Sequence, residues 1–208
     1  MSGSVEKESP GRKSSQKDPL AWEELHTEHI IQDQWIDFRK SAYRYPDGRV
    51  FEPFYSYSRR DYAVIVASDT EGRYLCVRQF RHGIREVTTE FPAGGIERKD
   101  GKEYGSSQDL SAEDALATAK RELLEETGYE SDEWRHLLTI PSNATVSDNY
   151  AHLFAARNCR RVAGQHLDET EDLTVVKHTA QEIEEMIRNG DFQQAMHVTA
   201  WLLALRRQ

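Results

Sequence analysis

Cysteine is scarce in this chain. Its 208 residues include two, Cys76 and Cys159, in no ligand or redox spacing. That excludes a disulfide framework and suits ordinary thiols in a reducing compartment. Long apolar runs are also missing: nothing approaches the roughly 20 residues of a membrane span. The opening stretch, MSGSVEKESPGRKSSQKDP, lacks the apolar centre of a secretory signal. A soluble, cytoplasmic protein with no membrane partner is the expectation. Basic charge is the third shortage, with 27 Lys and Arg against 36 Asp and Glu and a formal net charge of −9. This argues against a nucleic-acid partner, which usually requires a basic stripe. It does not exclude an anionic ligand, because a bound metal ion reverses the local sign of a site. Internal repeats are absent as well.

What is present fits one domain with a small appendage. Residues 1–19 are polar and rich in Ser and Lys, the composition of a disordered tail. Residues 20–60 carry Trp, Tyr, Phe and Ile on both sides of Pro46-Asp47-Gly48, a turn signal, and read as an antiparallel β unit. Residues 61–208 form the body. YAVIVAS and RYLCVRQF read as strands joined by DTEGR, and VTTEFPAGGIE as a short strand running into a Gly-rich turn. A helix is predicted over 111–127, with Ser111 as its cap, Asp114 three positions later, and Gly128 to end it. YAHLFAAR and DLTVVKH follow as strands. A helix from Thr179 to Gly190, opened by the Thr179/Glu182 capping box, precedes a terminal helix. The mixture predicts a layered α/β (α+β) domain.

One segment resists a purely structural explanation. In KRELLEETGY, Glu122, Glu125 and Glu126 stand at i, i+3 and i+4 and share a helix face. Such carboxylates repel one another. They also occupy the last turns of the helix, where the macrodipole disfavours negative charge. A solvated acidic face is one reading. A site for a hard divalent cation, which would use all three carboxylates, is the other. Mg²⁺ prefers oxygen ligands and commonly bridges to phosphates. Upstream, the Pro and Gly residues of FPAGG allow a tight turn with exposed carbonyls, and Ala93 is placed to offer one of them.

These residues resemble the Nudix box, G-x5-E-x7-R-E-U-x-E-E-x-G-U with U apolar. Arg121, Glu122, Leu123, Glu125, Glu126, Gly128 and Tyr129 match its second half, and Glu113 stands seven residues before Arg121 where the box has its first Glu. Gly94 is then the opening Gly. Eighteen residues separate it from Glu113 where the pattern has five, an insertion of 13 within a polar loop near 98–110. Beyond the box, VRQFRHGI, TEFPAGGIE and LDETEDLTV are similar to the ADP-ribose pyrophosphatase branch of the superfamily.

The resemblance implies a Nudix α/β/α sandwich with a mixed sheet, and a homodimer built through the N-terminal β unit. It also implies Mg²⁺-dependent hydrolysis of a nucleotide-sugar diphosphate, with Mn²⁺ as a possible substitute. Glu122 and Glu126, with the Ala93 carbonyl and Glu125 as a further ligand, would hold the metal, with Glu113 either a ligand or a partner of Arg121. Arg121 would orient a glutamate by an ion pair. Glu169, or otherwise Glu171, would act as general base, unless DETED is only an acidic surface turn. Arg81 and Arg59 would bind phosphate, and Glu90 the ribose or base side. Trp35 either stacks on a purine or belongs to the dimer sheet.

One departure bears on the substrate. ADP-ribose-specific members usually carry a Pro and then an acidic residue in the loop after the box. Here PSNATVSDNY places Ala144 and Asn149 at those positions, with Asp148 beside Asn149. GDP-mannose or another nucleotide sugar therefore stays open. A non-catalytic ligand sensor on the same fold is the reading from a different class, and the intact carboxylates argue against it.

Overall fold

A computed structural model describes residues 18–102, 104, 113–168 and 171–206. The tail up to residue 17, most of the insertion, Ser111 and Glu169 lie outside the described residues.

Three strands, β1 (Glu23–Gln32), β2 (Asp37–Arg44) and β3 (Val50–Ser58), form an antiparallel sheet in that order. The Pro46–Gly48 signal is the β2–β3 turn, with Gly48 at φ 88°. β1 and β2 are separated at Asp33, whose carboxylate takes the N–H groups of Trp35 (2.7 Å) and Ile36 (3.0 Å), as Asp does in an Asx turn.

The body is built on an eight-stranded mixed sheet. Its path is β11 (Leu173–His178), β5 (Tyr74–Arg81), β4 (Tyr62–Asp69), β10 (Tyr150–Arg161) and β8 (Tyr129–Glu130). Off that path, β6 (Glu86–Glu90) pairs with β5, β7 (Ala93–Gly95) with β4, and β9 (Glu133–Pro141) with β10. The β4–β10 pair is parallel.

The period-2 alternation of β4 explains the layers. Ala63, Ile65 and Ala67 face one way and pack with Ala119 and Leu123 of α1 (Ala115–Thr127). Val64 and Val66 face the other way and pack with Ile183 of α2 (Ala180–Asn189) and with Ala200 and Trp201 of α3 (Ala195–Arg206). Helices cover both faces, which is the α/β/α sandwich that the sequence predicts.

Three expectations change in detail. The cap of α1 is Asp114, whose Oδ1 accepts from Leu116 and Ala117 N–H, so the helix starts at Ala115 rather than at 111. The strand β9 carries no clean alternation in EWRHLLTIP, so the sequence pattern offers no strand signal there. Its exposure pattern is correspondingly irregular, with Leu137 buried and Leu138 partly exposed. The terminal helix, expected over DFQQAMHVTAWLLALRRQ from Asp191, starts at Ala195. The capping box at Thr179/Glu182 and the left-handed Gly128 and Gly190 stand where the sequence puts them. Both cysteines are buried and free. Burial pushes the Cys159 thiol up to about 11, so it is an inert core group.

Candidate active site

Helix α1 buries two stripes rather than one. Ala119 and Leu123 go into the core, and Glu122 and Glu126 are buried as well, at 6% and 2% exposure. The acidic face is therefore not solvated. Gly94 explains how Glu122 fits: a Cβ there would overlap the Glu122 carboxylate, so the box glycine is the absence of a side chain that the glutamate requires. Glu126 accepts the N–H of Ala93 at 3.0 Å.

A third carboxylate arrives from outside the helix. Carboxylate oxygens of Glu122, Glu126 and Glu171 lie within 4.8 Å of one another. The segment before Glu171 is tied to the C-terminal end of α1, whose last carbonyls need partners. Gln165 donates to the Glu126 carbonyl (2.8 Å) and the His166 N–H to the Glu125 carbonyl (2.8 Å). Val162 and Ala163 N–H bond the Gly128 carbonyl at 2.9 and 3.2 Å. A helix end that lacks partners of its own thus delivers Glu171 to the group.

Burial raises the Glu122 carboxyl to about 7, with the neighbouring carboxylates adding to it and Arg121 opposing. Burial, then the Glu122 charge, raises Glu126 well above its ordinary range. Three converging carboxylates, two of them buried, form an all-oxygen donor set that a hard divalent cation fits.

Glu125 is not part of that group. Its carboxylate accepts from Arg121 at 2.8 Å. Arg121 also reaches Glu113 (3.2 Å), the Glu122 carboxylate (2.9 Å) and the Gly95 carbonyl (3.2 Å). It therefore spans the helix, the FPAGG turn and both ends of the insertion, since Glu97 is 3.8 Å away.

The expected substrate residues divide. Arg81 forks onto Glu90, with Nε to one oxygen at 2.8 Å and Nη2 to the other at 2.6 Å. Glu90 is 0% exposed and also accepts from Thr88. Burial opposes its charge, but the Arg81 bonds outweigh that and hold it below the usual carboxylate range. Glu90 is thus an anchor for Arg81 in this chain, not an open group awaiting a ribose. Arg81 is coupled electrostatically to Glu126 and borders a cavity of about 310 Å³ lined by His82, Ile84, Thr88 and Gln194, among others.

Arg59 is exposed. Its neighbour Arg60 is the one directed inward, packing on Gly95 and coupled to Glu97 and Glu122. Sequence reading had no means of choosing between these adjacent arginines. Trp35 is 56% exposed in the β1–β2 turn and has no aromatic partner among the described residues. Asn149 is buried, donates to the Arg60 carbonyl at 3.1 Å and accepts from Ser147. Asp148 is engaged by Ser58 (2.6 Å) and Arg39 (3.2 Å).

The NUDIX domain model matches residues 58–200. The chain is 26% identical over 166 residues to a methanol dehydrogenase activator of Bacillus methanolicus, covering 79% of this chain and 82% of that one. It is 25% identical over 169 residues to an ADP-ribose pyrophosphatase of Bacillus subtilis (strain 168), covering 81% and 84%. A crystal structure of an ADP compounds hydrolase superposes with a TM-score of 0.73 at 18% identity, covering 89% of this chain and 92% of that one, a likeness of fold. With more than half of its length matched and the box residues converging as described, the chain belongs to the NUDIX domain family, as a Nudix hydrolase similar to the ADP-ribose pyrophosphatases.

Proposed function

We propose that this protein hydrolyses the diphosphate bond of ADP-ribose or a related nucleotide sugar, releasing a nucleoside monophosphate and a sugar phosphate, with Mg²⁺ or Mn²⁺ as cofactor. The observation that carries the reading is the convergence of Glu122, Glu126 and Glu171 within 4.8 Å, two of them buried. The Bacillus subtilis relative named as an ADP-ribose pyrophosphatase, matched over 84% of its length, supports the substrate class. Glu122, Glu126 and Glu171 would hold the metal, with the Ala93 carbonyl as a further oxygen. Bound there, the cation would neutralise the diphosphate and acidify the attacking water.

The chain's own residues supply the rest. Arg121 holds Glu113, Glu122 and Glu125 in place. Arg81, pre-aimed by Glu90, binds a phosphate through the remaining edge of its guanidinium. Glu169 takes the proton from water, since Glu171 is taken up by the metal group. Glu125 and Glu113 stay with Arg121 rather than with the metal. A second copy of the chain completes the assembly through the N-terminal sheet, where Trp35 belongs either to the interface or to the base.

The test is release of AMP from ADP-ribose with and without Mg²⁺, in the wild type and in Glu126→Gln, alongside GDP-mannose and UDP-glucose. The expected outcome is metal-dependent turnover that falls in the variant by about 10²-fold or more, the scale of losing one charge-stabilising group. Full activity in Glu126→Gln would remove that residue from the site.

A further inference from the structure

His197 lies outside every motif, yet it is buried with Ala200, Trp201 and Ala204 on the inner stripe of α3, at 4% exposure. A buried imidazole needs partners. Its Nδ1 accepts the N–H of Phe91 at 3.1 Å, and its ring lies parallel to the Phe91 ring, 3° between planes. Burial lowers its pKa to about 4, so the ring is neutral. With Nδ1 accepting, the ring proton sits on Nε2. That atom stands 3.9 Å from the Glu90 carboxylate.

Glu90 is the group that Arg81 grips with two bonds. Gln194, one turn before His197, reaches the same carboxylate at 3.4 Å. The Phe91 amide opens the turn that runs through Pro92 to Ala93, whose own N–H bonds Glu126. One imidazole therefore turns its N–H edge toward the carboxylate that anchors Arg81 on one side, at 3.9 Å, a separation of electrostatic rather than hydrogen-bond range. On the other it touches the backbone that leads to the carboxylate group.

We infer that His197 is a positioning residue, fixing the rotation of the Arg81 guanidinium through Glu90 and the start of the FPAGG turn through the Phe91 amide. The kinetic part of this inference rests on the reading of Arg81 as the diphosphate ligand. The geometric part does not.

The experiment has two readouts. Arginine side-chain ¹⁵N NMR follows the guanidinium of Arg81, identified by the signal lost in Arg81→Lys. Steady-state kinetics with ADP-ribose and Mg²⁺ follow function. The variants are His197→Phe, which removes both contacts, and His197→Gln, whose amide can donate to Glu90.

The Arg81 guanidinium is expected to rotate slowly in the wild type and measurably faster in His197→Phe, where the Glu90 fork remains but its carboxylate has lost the imidazole beside it. KM is expected to rise about tenfold while kcat changes less than about threefold, the signature of lost uniform binding. His197→Gln should restore most of both. An unchanged Arg81 signal in a folded Phe variant would overturn the inference, and so would loss of kcat without a KM effect. A faster-rotating guanidinium with unaltered kinetics would uphold the positioning role and remove Arg81 from diphosphate binding. If the wild type does not turn over ADP-ribose, the proposed function falls, and the NMR readout alone decides the positioning role. If His197→Phe does not fold, His197→Asn against His197→Gln makes the same comparison, because the shorter amide cannot reach Glu90.

Discussion

Glu122 carries the most consequential charge at the scale of single residues. Its carboxyl is raised to about 7 by burial, against about 4.5 when unfolded. A raised carboxyl pKa means that the folded state binds the proton more tightly than the unfolded chain. Without metal, stability is then lost as pH climbs from about 4.5 through about 7, and the loss levels off above that. A shift of this size corresponds to about 3 kcal/mol. Glu126 moves in the same direction. A cation competes with those protons and restores what ionisation removes. The melting temperature with 10 mM Mg²⁺, measured against a chelated sample, should therefore rise little at pH 5.5 and by several degrees at pH 8.5. An equal rise at both pH values would mean that the carboxylates are not the ligands.

At the scale of elements, the C-terminal end of α1 and both ends of α2 were legible because their signals are local, whereas the start of α1 was not. Gly128 ends α1 in the left-handed region, and Thr179/Glu182 opens α2, each readable within four residues. The β9 strand was not, because its pairing with β10 is a tertiary fact and its sequence lacks alternation. Glu122 and Glu126 were legible from the box. That Glu171 joins them depends on how residues 162–168 satisfy the carbonyls of α1, which no spacing records.

The insertion was visible only as a count, and the structure supplies its logic. The Glu113 N–H bonds the Glu97 carbonyl at 2.9 Å, so the excursion leaves and returns at one point. Removing residues 99–111 would leave Glu97, Arg98, Ala112 and Glu113 in sequence. The existing bond then becomes the i to i+3 hydrogen bond of a β-turn. Closing a shorter loop also costs less entropy, about 0.6 kcal/mol per halving. The shortened chain is expected to melt within a few degrees of the wild type and to keep Mg²⁺-dependent turnover. Loss of a cooperative thermal transition would show that the insertion supports the box.

The whole molecule raises a question that one copy of the chain does not answer. Sheet β1–β3 is fastened to the body at its far edge: Tyr57 N–H to the Val146 carbonyl (2.8 Å), Arg39 and Ser58 to Asp148, and Asn149 to the Arg60 carbonyl. The near edge has no such support among the described residues. Nine of the ten residues of β1 are exposed. Ile30, Ile31, Val50, Phe51 and Tyr55 are 44–54% exposed, and Trp22 and Trp35 are 48% and 56% exposed. A three-stranded sheet holds in water only if a hydrophobic face is covered, and apolar residues gathered in this way mark an interface. The homodimer expected from the sequence would cover them.

By light scattering, the 24.0 kDa chain should therefore run at about twice its mass. Ile30→Glu/Ile31→Glu should shift it to a monomer, because two charges cannot be buried across such a surface without partners. Neither side chain is buried within the protomer, so the fold of the body should survive the change, with its thermal transition retained. A wild-type mass of 24.0 kDa would leave the sheet without a partner of its own kind. A dimer that persists in the double variant would move the interface to the β5–β6 hairpin, where Phe80, Ile84 and Val87 are also exposed.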